Sequence, residues 1–272
     1  LRPSYVLGGR GMKIIHDNLG LDEFLVGALE VSDRRPLLID RYLEGATEVD
    51  VDALADGGTV FIGAVMEHIE EAGIHSGDSA AVIPTFTLPR KVIDEIRETT
   101  RKIALALGVV GHINIQFAVK DEKAYVLEVN PRASRTVPFV SKAIGIPLAT
   151  IAARLACGRR LADLRLGPER VPTHVNVKEA VLPFQKFTGA DSLLGPEMKS
   201  TGEVMGIGAT FADALARAEE AAGSALPTKG VAFVSAADAT KDRLVSVARD
   251  LFAEGFSIEA TVGTGAAFMN AG

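Results

Sequence analysis

The feature that most constrains the fold is a hairpin pattern, in which two segments of alternating apolar and polar residues flank a short turn. The segments are Thr47–Leu54 and Thr59–Met66, and the turn is Asp56-Gly57-Gly58. Aspartate followed by glycine between alternating segments is typical of a β-hairpin. The period of two places three acids on one face of the first strand and small apolar residues on the other. These acids are Glu48, Asp50 and Asp52.

A second hairpin pattern lies further along the chain, at Asn114–Val119 and Ala124–Val129, with a predicted turn at residues 121–123. A turn centred on residue 122 pairs positions whose numbers sum to 244. Gln116 then lies directly opposite Glu128 on one face of the sheet. Asn130 follows two residues later and therefore shares that face. The two hairpins predict an antiparallel sheet.

Gln116, Glu128 and Asn130 form the strongest candidate site. All three carry oxygen atoms, which are the ligands that Mg²⁺ prefers, and Mg²⁺ usually keeps positions for water and phosphate. Arg132 and Arg135 follow the strand, and guanidinium groups bind phosphates and carboxylates in a bidentate manner. Metal ions beside arginines suit phosphoryl transfer, whose catalysis is mostly positioning and neutralisation of charge. The alternative is a solvated hairpin face without a ligand.

Two other motifs carry weaker signals. The glycine loop at residues 8–11, Gly-Gly-Arg-Gly, could bring backbone N–H groups close to a phosphate, although an ordinary turn has the same composition. His68 and His75 lie in the polar segment 67–78, but their spacing matches no zinc motif, so we expect a loop near a ligand there. Cys157 falls in an apolar helical pattern and is expected in the core.

The remaining pattern alternates helices and strands. We predict helices at Leu21–Val31, Arg90–Leu107, Val137–Ile144, Leu148–Cys157, Phe211–Ala222 and Lys241–Glu254, and further strands at Pro36–Tyr42, His174–Leu182, Gly230–Ser235 and Phe256–Val262. The last strand–helix–strand segment is typical of a βαβ unit in a parallel sheet. We therefore expect a domain boundary near residue 225.

Composition narrows the class of protein. The chain has 272 residues, a formal net charge of −6 and one cysteine, which excludes a disulfide framework and cysteine-rich metal sites. The charge gives no basic surface for nucleic acid, and no apolar run approaches the roughly 20 residues that span a bilayer. We expect a cytoplasmic protein with no nucleic-acid or membrane partner. The first residue is Leu, and we expect a piece of a longer polypeptide.

Several strings together resemble the large subunit of carbamoyl phosphate synthetase, and the resemblance covers essentially the whole chain. They are RPSYVLGGRGM at 2–12, EVDVDA at 48–53, MEHIEEAGIHSGDSA at 66–80, NIQFAV at 114–119, LEVNPRASRTVPFVSKAIGIP at 127–147, VKEAVLPFQKF at 177–187 and GPEMKSTGEVMGIG at 195–208. Three of them, those at 48–53, 66–80 and 130–143, are similar to the second, carbamate-phosphorylating half of that subunit.

The resemblance implies an α+β ATP-grasp fold with mixed or antiparallel sheets and flanking helices. Residues 1–157 would be an ATP-grasp domain that is incomplete at its N-terminus, and residues 158–224 the C-terminal part of the synthetase unit. Residues 225–272 would begin a regulatory α/β domain of the methylglyoxal-synthase-like type, with its first βαβ unit.

The resemblance also implies roles for individual residues toward ATP. Arg2 and the backbone of Gly8 and Gly9 would lie near the phosphates, while Arg41 and Leu43 would lie at the adenine pocket. Glu48 would hold the ribose. The nucleotide loop, which we define as residues 73–76, would lie against the nucleotide with its members Gly73, Ile74, His75 and Ser76.

Metal and catalytic roles follow from the same resemblance. Two divalent ions, Mg²⁺ or Mn²⁺, would be held by Gln116, Glu128 and Asn130. The catalytic residues would be Glu128, Asn130 and Arg132, with Arg132 facing the transferred phosphoryl group or carbamate. A potassium ion would bind near Glu48, His68, Ile74 and Ser76.

The implied reaction converts carbamate and ATP to carbamoyl phosphate and ADP, for arginine and pyrimidine biosynthesis. The implied partners are the rest of the large subunit, a small glutamine amidotransferase subunit and a second copy of the chain. Two alternatives stay open. One is another ATP-grasp carboxylate–amine ligase, such as a relative of biotin carboxylase. The other is that the isolated chain is inactive and serves only as a structural or interaction module.

Overall fold

The computed structural model describes residues 1–3, 12–31, 36–186, 189 and 191–271. The predicted phosphate contacts Gly8 and Gly9 lie outside the described residues, as does the side chain of Arg2. The chain divides into two compact units, Leu1–Ala225 and Leu226–Gly272. This division falls where the sequence pattern changes.

The first unit contains nine strands and five helices among its described residues. The strands are β1 (Arg2–Pro3), β2 (Leu37–Leu38), β3 (Thr47–Asp56), β4 (Val60–Glu71), β5 (Ala81–Ile83), β6 (Val110–Lys120), β7 (Lys123–Asn130), β8 (Val175–Val181) and β9 (Gly202–Gly208). The helices are α1 (Asn18–Val31), α2 (Arg90–Ala106), α3 (Val137–Ile144), α4 (Leu148–Ala156) and α5 (Phe211–Ala222).

Seven of these strands form one sheet in the order β7-β6-β3-β4-β5-β8-β9. Every neighbouring pair in this sheet is antiparallel. The two short strands β1 and β2 form a separate antiparallel pair. The antiparallel sheet predicted from the two hairpin patterns is confirmed.

Helices cover both faces of the sheet because each strand alternates its side chains between the faces. On one face, α3 and α4 pack against apolar residues such as Leu54 and Met66. On the other face, α2 packs against Val49 and Val51, and α5 packs against Val177. Val49 and Val51 lie on the opposite face from Asp50 and Asp52, as the alternation predicts.

The acidic face of β3 differs from the solvated surface that alternating acids usually indicate. Asp50 is 3% exposed and Asp52 is 1% exposed, because strands flank β3 on both sides and a loop covers this face. The predicted hairpin of β3 and β4 is confirmed, although Asp56 belongs to β3 and residues 57–59 connect the strands. Strand β4 extends beyond Met66 to Glu71. His68 therefore lies on a strand.

In the second hairpin, two deviations from the predicted register cancel each other, so the predicted pairing is preserved. The turn has two residues, Asp121 and Glu122, both with positive φ, so residues 117–120 pair with positions that sum to 243. A bulge with Leu127 as its additional residue then shifts the register by one. Gln116 consequently lies opposite Glu128, as predicted, although the predicted three-residue turn was wrong.

Other boundaries differ from the predictions. Helix α1 begins at Asn18, three residues before the predicted start, and strand β2 covers only two residues of the segment 36–42. Strands β5 and β9 were missed. Cys157 is exposed at the end of α4, so its predicted place in the core is wrong.

The second unit contains a parallel strand–helix–strand unit followed by another helix. Its elements are β10 (Val231–Val234), α6 (Lys241–Ala253), β11 (Ser257–Ala260) and α7 (Val262–Asn270). Strands β10 and β11 pair in parallel, with Val231 opposite Ser257. The predicted βαβ pattern is confirmed.

In the part of the chain that the structure describes, no single helix is long and apolar enough to cross a membrane. Among the described residues, α3 and α4 taken together have the length and composition of a membrane span, but a bend of 111° separates them. Both helices contribute buried residues to the core of the first unit.

Candidate functional site

A row of polar side chains crosses three neighbouring strands of the sheet. Glu128 on β7 lies opposite Gln116 on β6, and Gln116 lies opposite Asp50 on β3. One step along the strands, Asn130 lies opposite Asn114, on the same face. The structure therefore brings together all three predicted metal ligands, which are Gln116, Glu128 and Asn130.

The side chain of Gln116 is oriented by the nucleotide loop. Its Nε2 donates a hydrogen bond of 2.8 Å to Ser76 Oγ. Because the amide group uses its donor end here, its carbonyl oxygen remains as an acceptor for a ligand. An oxygen donor beside a carboxylate fits Mg²⁺.

Asp50 adds negative charge to the same row. Among the described residues, its buried Oδ1 atom has no hydrogen-bond partner. Its other oxygen lies 3.3 Å from His68 Nε2. A buried carboxylate oxygen without a partner is unfavourable unless a cation or water binds it, so the donor set of this row fits a divalent cation.

Lys178, which lies on β8, reaches the nucleotide loop from another part of the sheet. It is 1% exposed, and its ammonium donates a hydrogen bond of 3.1 Å to the carbonyl oxygen of Ser76. Burial lowers the pKa of Lys178, while Glu203, Asp50 and Glu70 oppose this shift. Ser76 thus contacts Lys178 through its backbone and Gln116 through its side chain.

His68 lies between two carboxylates. Its Nδ1 is 3.7 Å from Glu48 Oε2, and its Nε2 faces Asp50. Two of the four predicted potassium ligands, Glu48 and His68, are therefore in contact, while Ser76 carries hydrogen bonds to Gln116 and Lys178. In the part of the chain described, no group of three or more His, Cys, Asp or Glu residues could hold a metal ion.

Glu48 also fixes the start of the nucleotide loop. Its Oε1 accepts a hydrogen bond of 2.9 Å from the backbone N–H of Gly73, which has a φ of 103°. A side chain at Gly73 would be strained and would meet the hydroxyl of Tyr42 at 3.2 Å. Burial raises the pKa of Glu48, although the Gly73 hydrogen bond lowers it.

The rest of the loop is anchored by a segment near residues 195–200. The backbone N–H of His75 donates to the Gly195 carbonyl at 2.8 Å. The buried carboxylate of Asp78 accepts hydrogen bonds from the backbone N–H groups of Lys199 and Ser200. Ile74 is half-buried within the same loop. The four predicted loop residues are thus held between the sheet and a covering segment.

Arg132 lies at the end of the second hairpin. Its backbone N–H donates to the carbonyl of Asn130 at 2.8 Å, and its side chain is exposed. A guanidinium donor, Nη1, reaches the neighbouring Ala133 carbonyl. The group is therefore within the turn that follows the metal-ligand candidates and is accessible to an anionic ligand.

A cavity of about 350 Å³ lies at the other end of the hairpin. It is lined by Arg41, Tyr42, Leu43, Glu44, Lys120, Asp121 and Tyr125. The two predicted adenine-pocket residues therefore share one cavity. Lys120 donates to the Glu44 carbonyl at 2.9 Å and closes the cavity wall.

The cavity and the metal row are joined by one strand. Asn114, Gln116, Ala118 and Lys120 alternate along β6 and share a face, with Ala118 opposite Glu48. Four residues of an antiparallel strand span about 13 Å, which separates Lys120 from Gln116. The predicted adenine, ribose and phosphate contacts thus follow in that order along β6.

The comparison with protein families identifies the family of this chain. A family model described as "Carbamoyl-phosphate synthase L chain, ATP binding domain" matches residues 1–164. The chain belongs to this family. The matched region contains every candidate ligand of the metal row.

Relatives extend the similarity over the rest of the chain. The carbamoyl phosphate synthase large chain of Methanocorpusculum labreanum is 56% identical over 264 residues, which are 97% of this chain and 25% of the relative. That of Vibrio cholerae is 54% identical over 272 residues, all of this chain and 25% of the relative. The carbamoyl phosphate synthase large chain of Methanosarcina barkeri is 56% identical over 264 residues, which are 97% of this chain and 66% of that relative. The chain spans about a quarter of the first two relatives.

Solved structures support the fold. The biotin carboxylase domain of 2-oxoglutarate carboxylase from Hydrogenobacter thermophilus, in complex with MgADP and bicarbonate, matches with a TM-score of 0.59 and 17% identity. The match covers 76% of this chain and 52% of that domain. Biotin carboxylase from Campylobacter jejuni matches with a TM-score of 0.54 and 19% identity, over 64% of this chain and 39% of that protein. The chain has the ATP-grasp fold.

Sequence reasoning missed four buried polar residues of the site. Asp50 and Asp52 stood out only as members of an alternating pattern, which does not distinguish a solvated face from a buried one. Asn114 could have been found, because the predicted pairing that joins Gln116 to Glu128 also places Asn114 opposite Asn130. Lys178 gave no signal, since its contact depends on strands that are far apart in sequence.

Proposed function

We propose that this chain binds MgATP along strand β6. The adenine ring occupies the cavity beside Arg41 and Leu43, and the ribose lies near Glu48. The phosphates extend to the row formed by Gln116 and Glu128. The contacts are ordered along the strand as the parts of an extended nucleotide are.

The oxygen atoms of Gln116, Glu128 and Asn130 hold the divalent cations, Mg²⁺ or Mn²⁺. These ions neutralise the charge of the phosphates and align them for in-line transfer when bound. Ser76 keeps the amide of Gln116 oriented so that its oxygen faces the ligand. Potassium binds beside Glu48 and His68 in this proposal.

Arg132 binds the transferred phosphoryl group or its acceptor. A guanidinium forms paired hydrogen bonds with phosphate and carboxylate oxygens, and its charge stabilises the negative charge of the transition state. We assign catalysis to Arg132 together with Glu128 and Asn130. No side chain of this chain needs to be covalently modified.

The acceptor is carbamate, and the products are carbamoyl phosphate and ADP. The whole protein is then the large subunit of a glutamine-hydrolysing carbamoyl phosphate synthase, which serves arginine and pyrimidine biosynthesis in the cytoplasm. It acts with a small amidotransferase subunit, and residues 225–272 begin its regulatory, methylglyoxal-synthase-like domain. The identity of 56% to a carbamoyl phosphate synthase large chain supports this choice of substrate.

A single observation carries the proposal. Gln116 and Glu128 lie directly opposite each other, while the donor end of the Gln116 amide is bound by Ser76. An acceptor oxygen and a carboxylate therefore lie on neighbouring strands at opposite positions within the matched ATP-binding region.

The test is the reverse reaction, in which ATP forms from ADP and carbamoyl phosphate. It is measured for this chain and for the longer polypeptide that we expect to contain it. ATP formation by the longer polypeptide that requires Mg²⁺ and Glu128 supports the proposal. If the longer polypeptide forms no ATP, carbamate is not the acceptor and another ATP-grasp carboxylate–amine ligase becomes the better assignment.

The same assay decides what the isolated chain does. We expect no ATP formation by this chain alone, because it spans a quarter of the relatives that it matches. ATP formation by this chain would show that these residues suffice for a complete site and would exclude a purely structural role.

A further inference from the structure

We infer that Asp52 is a positioning residue for phosphoryl transfer, because its carboxylate holds the loop that carries Arg132 against the sheet. We call residues 131–136 the arginine loop. The inference rests on the proposed function, in which Arg132 binds the transferred group. It concerns a residue that contacts the loop rather than the substrate.

The carboxylate of Asp52 accepts hydrogen bonds from the arginine loop and from a neighbouring strand. Ser134 Oγ donates to it at 2.7 Å, and Thr136 Oγ1 donates at 2.5 Å, both from the arginine loop. Asn114 Nδ2 donates at 3.0 Å from strand β6. Ser134 and Thr136 also contact each other through their hydroxyl groups at 2.8 Å. One side chain thus joins the loop to two strands of the sheet.

The hydrogen bond from Thr136 to Asp52 takes the place of a helix-capping hydrogen bond. It occupies the N-cap position of α3, where a threonine hydroxyl usually accepts a hydrogen bond from a backbone N–H of the first turn. Here the hydroxyl makes no capping hydrogen bond and donates to Asp52 instead. The negative charge of Asp52 consequently lies near the N-terminus of α3, where the helix dipole favours it.

The position of Asp52 links the arginine loop to the metal row. Asp52 pairs with Asn114, and Asn114 pairs with Asn130, directly before the loop. This row is one step of about 7 Å along the strands from the row of Gln116 and Glu128. Both ends of the arginine loop are therefore fixed relative to the predicted metal ligands, by Asn130 at one end and Thr136 at the other.

Stabilisation of the fold does not by itself explain why a carboxylate occupies position 52. Burial raises the pKa of Asp52 to about 6, although the hydrogen bonds from Thr136, Ser134 and Asn114 lower it. Burial and the nearby carboxylate of Asp50 together thus disfavour the ionised form of Asp52 more than its three hydrogen-bond partners favour it. An apolar residue would fill this position without that cost but could not hold the two hydroxyl groups.

The test compares Asp52→Asn with Arg132→Ala in the longer polypeptide, using ATP formation from ADP and carbamoyl phosphate. Asparagine keeps the size of the side chain but offers one acceptor oxygen instead of two. We expect kcat/KM for carbamoyl phosphate to fall at least about tenfold in each variant. The KM for ADP should stay unchanged, because the arginine loop contacts the transferred group. The double variant should be no worse than Arg132→Ala.

The matched control is Thr100→Val, which removes a fully buried hydroxyl from α2 on the other face of the sheet. It should leave both kinetic constants unchanged even where it lowers the melting temperature. If Asp52→Asn does not fold, the pair Ser134→Ala and Thr136→Val removes the same contacts from the loop side. That pair should reproduce the selective loss for carbamoyl phosphate.

The outcomes separate this inference from the proposed function. A wild-type polypeptide that forms no ATP contradicts the proposed function. If the wild type is active, full activity of Asp52→Asn or of the Ser134→Ala/Thr136→Val pair overturns the inference. It is also overturned if the loss in the double variant is the sum of the Asp52→Asn and Arg132→Ala losses, or if Arg132→Ala is fully active.

Discussion

The ammonium group of Lys178 donates a hydrogen bond to the backbone carbonyl of Ser76, 102 residues earlier in the chain. Ser76 in turn accepts a hydrogen bond from Gln116. The contact thus connects β8, which lies beyond the matched ATP-binding region, to a predicted metal ligand inside it. A buried cation is placed among the carboxylates of Asp50, Glu70 and Glu203.

Replacing Lys178 with methionine should destabilise this chain strongly. The change keeps the apolar part of the side chain but removes the buried ammonium that donates to Ser76 and offsets the charge of Asp50, Glu70 and Glu203. Loss of a buried hydrogen bond from a charged group costs about 2 kcal/mol. Chemical unfolding monitored by circular dichroism measures the loss. Lys91→Met, at an exposed position of α2, is the control and should change the free energy of unfolding by less than about 0.5 kcal/mol. Equal effects of the two variants would contradict the role of Lys178.

Replacing Glu128 with glutamine should weaken the binding of MgATP to the longer polypeptide by at least about tenfold, because one anionic ligand is lost. Calorimetric titration with and without Mg²⁺ measures this effect. Glu122→Gln removes a carboxylate from the exposed turn of the same hairpin and should leave the affinity within about twofold. A Glu128→Gln variant with the affinity of the wild type would exclude Glu128 as a ligand.

The pKa of Asp52 predicts a pH-dependent difference in stability. The folded value of about 6 exceeds the unfolded value of about 3.9, so the folded state binds the proton more tightly. The contribution of Asp52 to the free energy of unfolding therefore falls as the pH rises through this interval. Asp52→Asn has no such dependence. Its stability relative to the wild type should improve by about 1.4 kcal/mol between about pH 5 and about pH 7.5.

Urea unfolding at several pH values measures that difference. Asp94→Asn, at an exposed site on α2, is the control and should show no such trend. A difference between Asp52→Asn and the wild type that is independent of pH would mean that Asp52 titrates as an ordinary carboxyl group.

The turn of the second hairpin predicts a stabilising substitution. Asp121 and Glu122 both have positive φ, a conformation that asparagine and glycine adopt more easily. Changing them to Asn and Gly should raise the free energy of unfolding of this chain by about 1 kcal/mol. Gly108→Ala, at a φ of 60°, should lower it by a similar amount. If both changes shift the melting temperature in the same direction, the backbone explanation is wrong.

The second hairpin also shows how far the sequence predicts the site. Alternation identified both strands and the pairing of Gln116 with Glu128. The two-residue turn and the bulge at Leu127 were not predicted, because a bulge depends on how neighbouring strands pack rather than on local composition. The pairing was correct because these two deviations of one residue cancel.

Burial and long-range contacts could not be predicted from the pattern. Asp50 and Asp52 alternate like residues of a solvated strand, but the neighbouring strands and the arginine loop cover them. Strands β5 and β9 were missed because β5 has only three residues and β9 is rich in glycine. Cys157 is exposed because α4 ends one residue before it.

The most direct test of the central claim is a crystal structure of the longer polypeptide with Mn²⁺ and a non-hydrolysable ATP analogue, collected at the manganese absorption edge. The account predicts anomalous peaks about 2 Å from oxygen atoms of Gln116, Glu128 and Asn130, with the adenine ring beside Arg41 and Leu43. Manganese bound at Glu48 and His68, with none between Gln116 and Glu128, would contradict it.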